Sequence, residues 1–117
     1  MRTRLWLVAA LVALMSAPAL ADRRSDAKAQ VDFGIRVAQK NLWKEAVYRF
    51  EKAIEIDKTY GGAWNNLGIA YEQLGRFDEA RSAYEKALEL EPNNVLIKQN
   101  YDLFREINDR ANRNGER

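Results

Sequence analysis

The sequence predicts an all-α fold made of two copies of one helix pair and a fifth, closing helix. Three observations predict it. Residues 27–60 and 61–94 align without a gap as two blocks of 34. In the first block the apolar residues of 27–40 and 44–56 recur with a helical period, and neither segment contains Pro. A fixed period of this length marks a stacked repeat, in which each unit buries its apolar face only against its neighbours.

Taken in order, residues 22–26 form a short N-terminal segment before the first block. Residues 27–40 carry apolar side chains at Ala27, Val31, Phe33, Ile35 and Val37, and 44–56 carry them at Ala46, Val47, Phe50, Ala53, Ile54 and Ile56. Both spacings place one stripe on a helix. Between them Asn41 can take the left-handed backbone that Gly75 supplies in the second block. In the alignment Phe33-Gly34 falls on Leu67-Gly68, Glu45-Ala46 on Glu79-Ala80, and Phe50-Glu51-Lys52-Ala53 on Tyr84-Glu85-Lys86-Ala87. A Gly inside a helix costs about 1 kcal/mol relative to Ala. Two such costs at equivalent positions, Gly34 and Gly68, imply a partner that approaches too closely for a Cβ. Ala46, Ala53, Ala80 and Ala87 are the small residues expected at that approach. Pro92 ends the fourth helix and Asn93-Asn94 offers an N-cap for the next. Residues 95–110 form the fifth helix, with Leu96, Ile97, Tyr101, Leu103, Phe104 and Ile107 in two adjacent stripes, and 111–117 is a polar tail expected to fray.

The period and its residues resemble the tetratricopeptide repeat. In the second block Trp64, Leu67, Gly68, Tyr71, Gly75, Ala80, Tyr84, Ala87 and Pro92 stand where that pattern expects them. The first block departs from it at Gln30, Val37, Asn41 and Lys58. The resemblance implies two helix-turn-helix repeats stacked in a right-handed superhelix, closed by a capping helix that covers the exposed end of the second.

Residues 1–21 differ from the rest. Met-Arg-Thr-Arg, an apolar run over 5–15 and the ending Ala19-Leu20-Ala21 are the three parts of a secretory signal peptide. Cleavage is expected after Ala21, giving a periplasmic or secreted protein in a bacterial cell envelope. The rival is an uncleaved anchor, which residues 5–21, interrupted by Pro18, fit poorly. The leader holds two Arg and no acid, so the other 96 residues carry 17 bases against 17 acids. That balance leaves no electrostatic footprint for nucleic acid.

The absence of Cys and His removes the common zinc sets, thiol nucleophiles and imidazole bases, so no metal and no cofactor is expected. Beyond the leader the aliphatic hydroxyls are Ser25, Thr59 and Ser82, with no His to activate them. No catalytic residue is assigned, and a non-enzymatic function is expected.

What remains is a binding groove. The resemblance implies that the first helix of each pair lines a concave face, with Lys28, Val31, Ile35, Ala38 and Gln39 from the first repeat. Gly62, Asn65, Ile69, Glu72 and Gln73 follow from the second, and Leu96, Gln99 and Leu103 from the fifth helix. This strip is apolar along its middle, with amides and one acid at its edges, and suits an amphipathic helix or an extended apolar peptide. A specialised form of the groove grips a C-terminal carboxylate. Asn66 matches it, but Val31, Ile35, Leu96 and Asn100 do not, so that form is not expected. The expected function is a non-catalytic module, a scaffold or adaptor, binding another protein. Alternatives are a structural protein that forms a homodimer through its fifth helix, and a regulatory subunit of a larger envelope complex.

Overall fold

The structure, a computed structural model, describes residues 22–115, so the leader assigned to 1–21 lies outside the described residues. Five helices and no strand occur among them. Helix α1 covers 22–38 of the described residues. It is followed by α2 (Trp43–Ile56), α3 (Gly61–Gln73), α4 (Phe77–Leu90) and α5 (Val95–Asn114). Helix α3 packs on both α2 and α4, and α5 packs mainly on α4 with a narrower contact to α3. This is the order of a stacked repeat, in which each helix touches its near neighbours in sequence.

The turns inside the two pairs are the same turn. Asn41 and Gly75 both have positive φ, 62° and 73°. In the first, the Asn41 amide donates to Ala38 O (2.8 Å) and the Leu42 amide to Val37 O (3.1 Å); in the second, Gly75 donates to Glu72 O (3.1 Å) and Arg76 to Tyr71 O (2.9 Å). These paired bonds satisfy carbonyls at the helix end in a Schellman motif. Asn accepts the left-handed region at small cost, which explains how Asn41 replaces Gly.

The internal glycines have the predicted steric reason, with a different partner. A Cβ on Gly34 would stand 2.5 Å from Phe50 Cε1, and one on Gly68 would stand 2.9 Å from Tyr84 Cδ1. What approaches is an aromatic ring, repeated at Phe50 and Tyr84, which are 2% and 1% exposed. Ala46, Ala53, Ala80 and Ala87 are all fully buried around these contacts. Tyr84 continues the core into α5, with ring centroids 5.4 Å from Phe104 and 6.0 Å from Tyr101.

Helix α5 begins at the expected cap, where the Ile97 amide donates to Asn94 Oδ1 (3.2 Å). It runs four residues beyond the predicted end at 110, with Arg113 in the last turn and Gly115 closing it at φ 69°. At repeat positions where α3 has Trp64, Gly68 and Tyr71, α5 has Lys98, Asp102 and Arg105, all exposed. Arg105 lies over the Tyr101 ring at 5.4 Å and Arg81 over Phe104 at 5.5 Å. At the opposite end Arg49 lies over Phe33 at 4.1 Å and its Nη1 donates to Gln30 Oε1 (3.5 Å). Arginines thus cover the rings at both ends of the stack.

The segment 22–26, expected to precede the first repeat, is already helical in α1. Arg24 anchors it: Nε donates to Asp57 Oδ2 (2.5 Å), Nη2 to Thr59 Oγ1 (3.1 Å), and the guanidinium lies 4.9 Å over the Tyr60 ring. The Thr59 hydroxyl, and then Arg24, hold the Asp57 carboxyl down from 3.8 to about 2. A carboxyl lowered on folding stabilises the fold above its unfolded value and loses that contribution as pH falls through its folded one. The melting temperature should therefore drop between about pH 4 and pH 2, and Asp57→Asn should flatten that drop. An unchanged acid limb in the variant would refute the role given to this cluster.

Candidate functional site

Four of the thirteen residues of the predicted strip come together in one pocket of about 170 Å³: Ile35 and Ala38 of α1, Gln39 in the turn after it and Ile69 of α3, joined by Trp43 and Phe50 of α2 and Asn66 of α3. Its walls are apolar apart from the two amides at its rim. Ile35 is 36% exposed, and Ile69 is half-buried against the core. Lys28, Gln39, Gln73 and Gln99 are exposed, Glu72 is half-buried, and Leu96 and Leu103 are 62% and 57% exposed.

Two predicted groove residues do not face solvent. Val31 is 3% exposed and belongs to the apolar core; Asn65 is 5% exposed, and its Oδ1 accepts from Asn100 Nδ2 (3.2 Å) across the α3–α5 contact. Both occupy the fifth position of their repeat. For Asn65 this is the flank on which the next first helix leans, so its side chain serves packing and offers little to a ligand. Three lining residues were missed, Trp43, Phe50 and Asn66. Asn66 follows Asn65 on α3, one place off the counted position, and Trp43 and Phe50 come from a second helix, where counting along first helices does not look.

The two asparagines nearest the carboxylate-gripping places are occupied internally. Asn66 Nδ2 donates to Gly62 O (2.8 Å), and Asn100 is bonded to Asn65. With Val31 buried and Ile35 and Leu96 apolar, the groove has no set of donors for a chain-terminal carboxylate. Glu72 is the acid of the strip. Burial pushes its carboxyl up, and the Tyr84 hydroxyl donates to it.

A second concavity of about 490 Å³ lies beside the Arg24 anchor, lined by Arg23, Arg24, Asp57 and Thr59 among others. Thr59 Oγ1 donates to Asp57 Oδ1 (2.6 Å), the geometry of a hydroxyl beside a base. A carboxylate held near 2 is too weak a base to activate that hydroxyl, so the pair reads as a structural anchor. Among the described residues no cluster of three acids converges on a point where a metal ion could sit.

The tetratricopeptide repeat profile matches residues 62–94, and a second TPR repeat profile matches 36–75. This chain belongs to the tetratricopeptide repeat family. Proteins similar to it come from distant organisms. An uncharacterised protein of Methanocaldococcus jannaschii is 36% identical over 69 residues, covering 59% of this chain and 80% of that protein. The chloroplast tetratricopeptide repeat domain-containing protein PYG7 of Arabidopsis thaliana is 30% identical over 73 residues, covering 62% of this chain and 24% of that protein. Among solved structures, the second TPR domain of human RPAP3, in complex with the HSP70 peptide SGPTIEEVD, superposes with a TM-score of 0.64. It is 25% identical, over 68% of this chain and 66% of that one. The tetratricopeptide fold, a short superhelix with a capping helix, supports a protein-interaction module.

Proposed function

We propose that this protein is a non-catalytic adaptor of the bacterial cell envelope that holds a segment of another protein across α1, α3 and α5. The observation that carries the reading is the row Ile35, Ile69 and Leu103, one residue from each first helix at the same repeat position. Leu96 and Ile107 extend it, and four of these five side chains are at least 36% exposed. Contiguous exposed apolar surface on a soluble fold marks an interaction site. The peptide held by the RPAP3 domain supports the mode of use, and the signal-like leader supports export to the envelope.

Photo-crosslinking in cells tests this, with the reactive side chain at Ile69 and a control at the exposed Glu89 of α4. A discrete heavier band at 69 alone is the expected result, lost when Ile35→Lys is added. No band from a folded, exported protein would overturn the groove reading. Dimerisation is favoured by one specific observation: Val95, Leu96, Leu103 and Ile107 of α5 are 57–67% exposed. A band at twice the chain's own mass would support it instead.

A further inference from the structure

Resting on that groove, we infer that its occupant carries a bulky apolar side chain for the Ile35–Ile69 pocket and, beside it, a lysine or arginine for Glu72. Glu72 lies three residues beyond Ile69 on α3, so the two share a helix face with Cβ atoms about 5–6 Å apart. The pocket, about 170 Å³ and almost wholly apolar, has room for a single Leu, Ile, Met or Phe side chain. The acid beside it is only half-buried and can be reached from solvent.

Eight of the sixteen acids among the described residues pair with a basic side chain, from Asp57 with Arg24 to Glu106 with Arg110. Glu72 is one of the eight that do not, and of those only Glu72 and Glu91 are half-buried; Glu91 lies outside the groove and accepts from Asn94 Nδ2 (3.2 Å). Glu72 has only the Tyr84 hydroxyl, and no cation acts on its carboxyl. A half-buried carboxylate with a neutral donor and no counter-charge has acceptor capacity left over, and a guanidinium or ammonium would fill it. The groove's own cation, the exposed Lys28, does not compete. It stands at the second position of its repeat and Glu72 at the twelfth, about 15 Å away along the helix axes at 1.5 Å per residue. The charge requirement is opposite to that of the acidic peptide SGPTIEEVD bound by the RPAP3 domain. On a helical occupant the apolar and basic residues would stand three or four apart.

Selection of a random 15-residue peptide library on the full chain tests this, followed by titration of the enriched peptides. The expected consensus is one large apolar residue with Arg or Lys three or four positions away. Glu72→Gln keeps an acceptor for Tyr84 and removes the charge, so it should weaken those peptides at least about tenfold. Glu72→Lys should shift the selected charge from basic to acidic. Enriched peptides that lose binding on Ile69→Lys, yet show no basic preference and ignore Glu72→Gln, would overturn this inference and leave the groove standing. Peptides indifferent to Ile69→Lys, or no enrichment at all, would overturn the groove reading itself.

Discussion

Replacing Tyr84 with Ala is expected to cost about 3–5 kcal/mol, the range for removing a fully buried aromatic side chain. At roughly 0.05–0.15 kcal/mol per residue, the folded part over residues 22–115 has only about 5–14 kcal/mol in total, so the variant should be close to unfolding at 37 °C. The size of the effect follows from what the ring touches. It fills the space over Gly68, is 1% exposed, and supports Phe104 and Tyr101 of α5. Its loss opens a cavity between the second repeat and the helix that closes it. Tyr84→Phe separates the ring from the hydroxyl: it should cost only about 1 kcal/mol, through the donor lost to Glu72. Urea titration followed by circular dichroism measures both. A Tyr84→Ala protein as stable as the wild type would mean that α5 does not dock on α4 through this ring.

Ala80→Leu should be the next most damaging change. Ala80 has no exposed surface. It lies on α4 among the residues that pack on α3, and three added carbons have nowhere to go. Overpacking of this kind costs about 1–3 kcal/mol, and each kcal/mol lowers the midpoint of a domain this size by roughly 4–8 °C. Ser82, two residues on and exposed, is the matched control. Ser82→Leu should stay within about 0.5 kcal/mol of wild type. Equal melting temperatures for the two variants would show that the face of α4 assigned to α3 is wrong.

Much of this was legible in the sequence, for reasons that differ by residue. Gly34 and Gly68 break a helical preference at equivalent places, and only a steric demand compensates for that cost, so they announced a close contact. They could not say that an aromatic ring made it. Asn41 was readable because few residues other than Gly accept positive φ. The helical stretch 111–114 was not, since three of its four residues are polar and it is closed by the Gly115 cap. Val31 and Asn65 were misplaced for a related reason. Repeat counting tells which side of a helix a residue is on, but the tilt of one first helix against the next decides whether that side is covered. Trp43 and Phe50 entered the pocket through the crossing of α2 under α1, which no single helical wheel shows.

The charged outer side of α5 bears on how such an array can lengthen over evolutionary time. A unit joined behind α5 would have to seat its apolar ridge on Lys98, Asp102 and Arg105, which are exposed and polar. A unit placed ahead of α1 would first have to displace Arg49 from the Phe33 ring. The junction between α2 and α3 has neither obstacle, because there Leu67 and Tyr71 already meet an apolar neighbour and the Tyr71 hydroxyl donates to Glu51 across the seam (2.8 Å). A 34-residue unit is therefore expected to be accommodated more readily at that interior junction than at either end of the described stack.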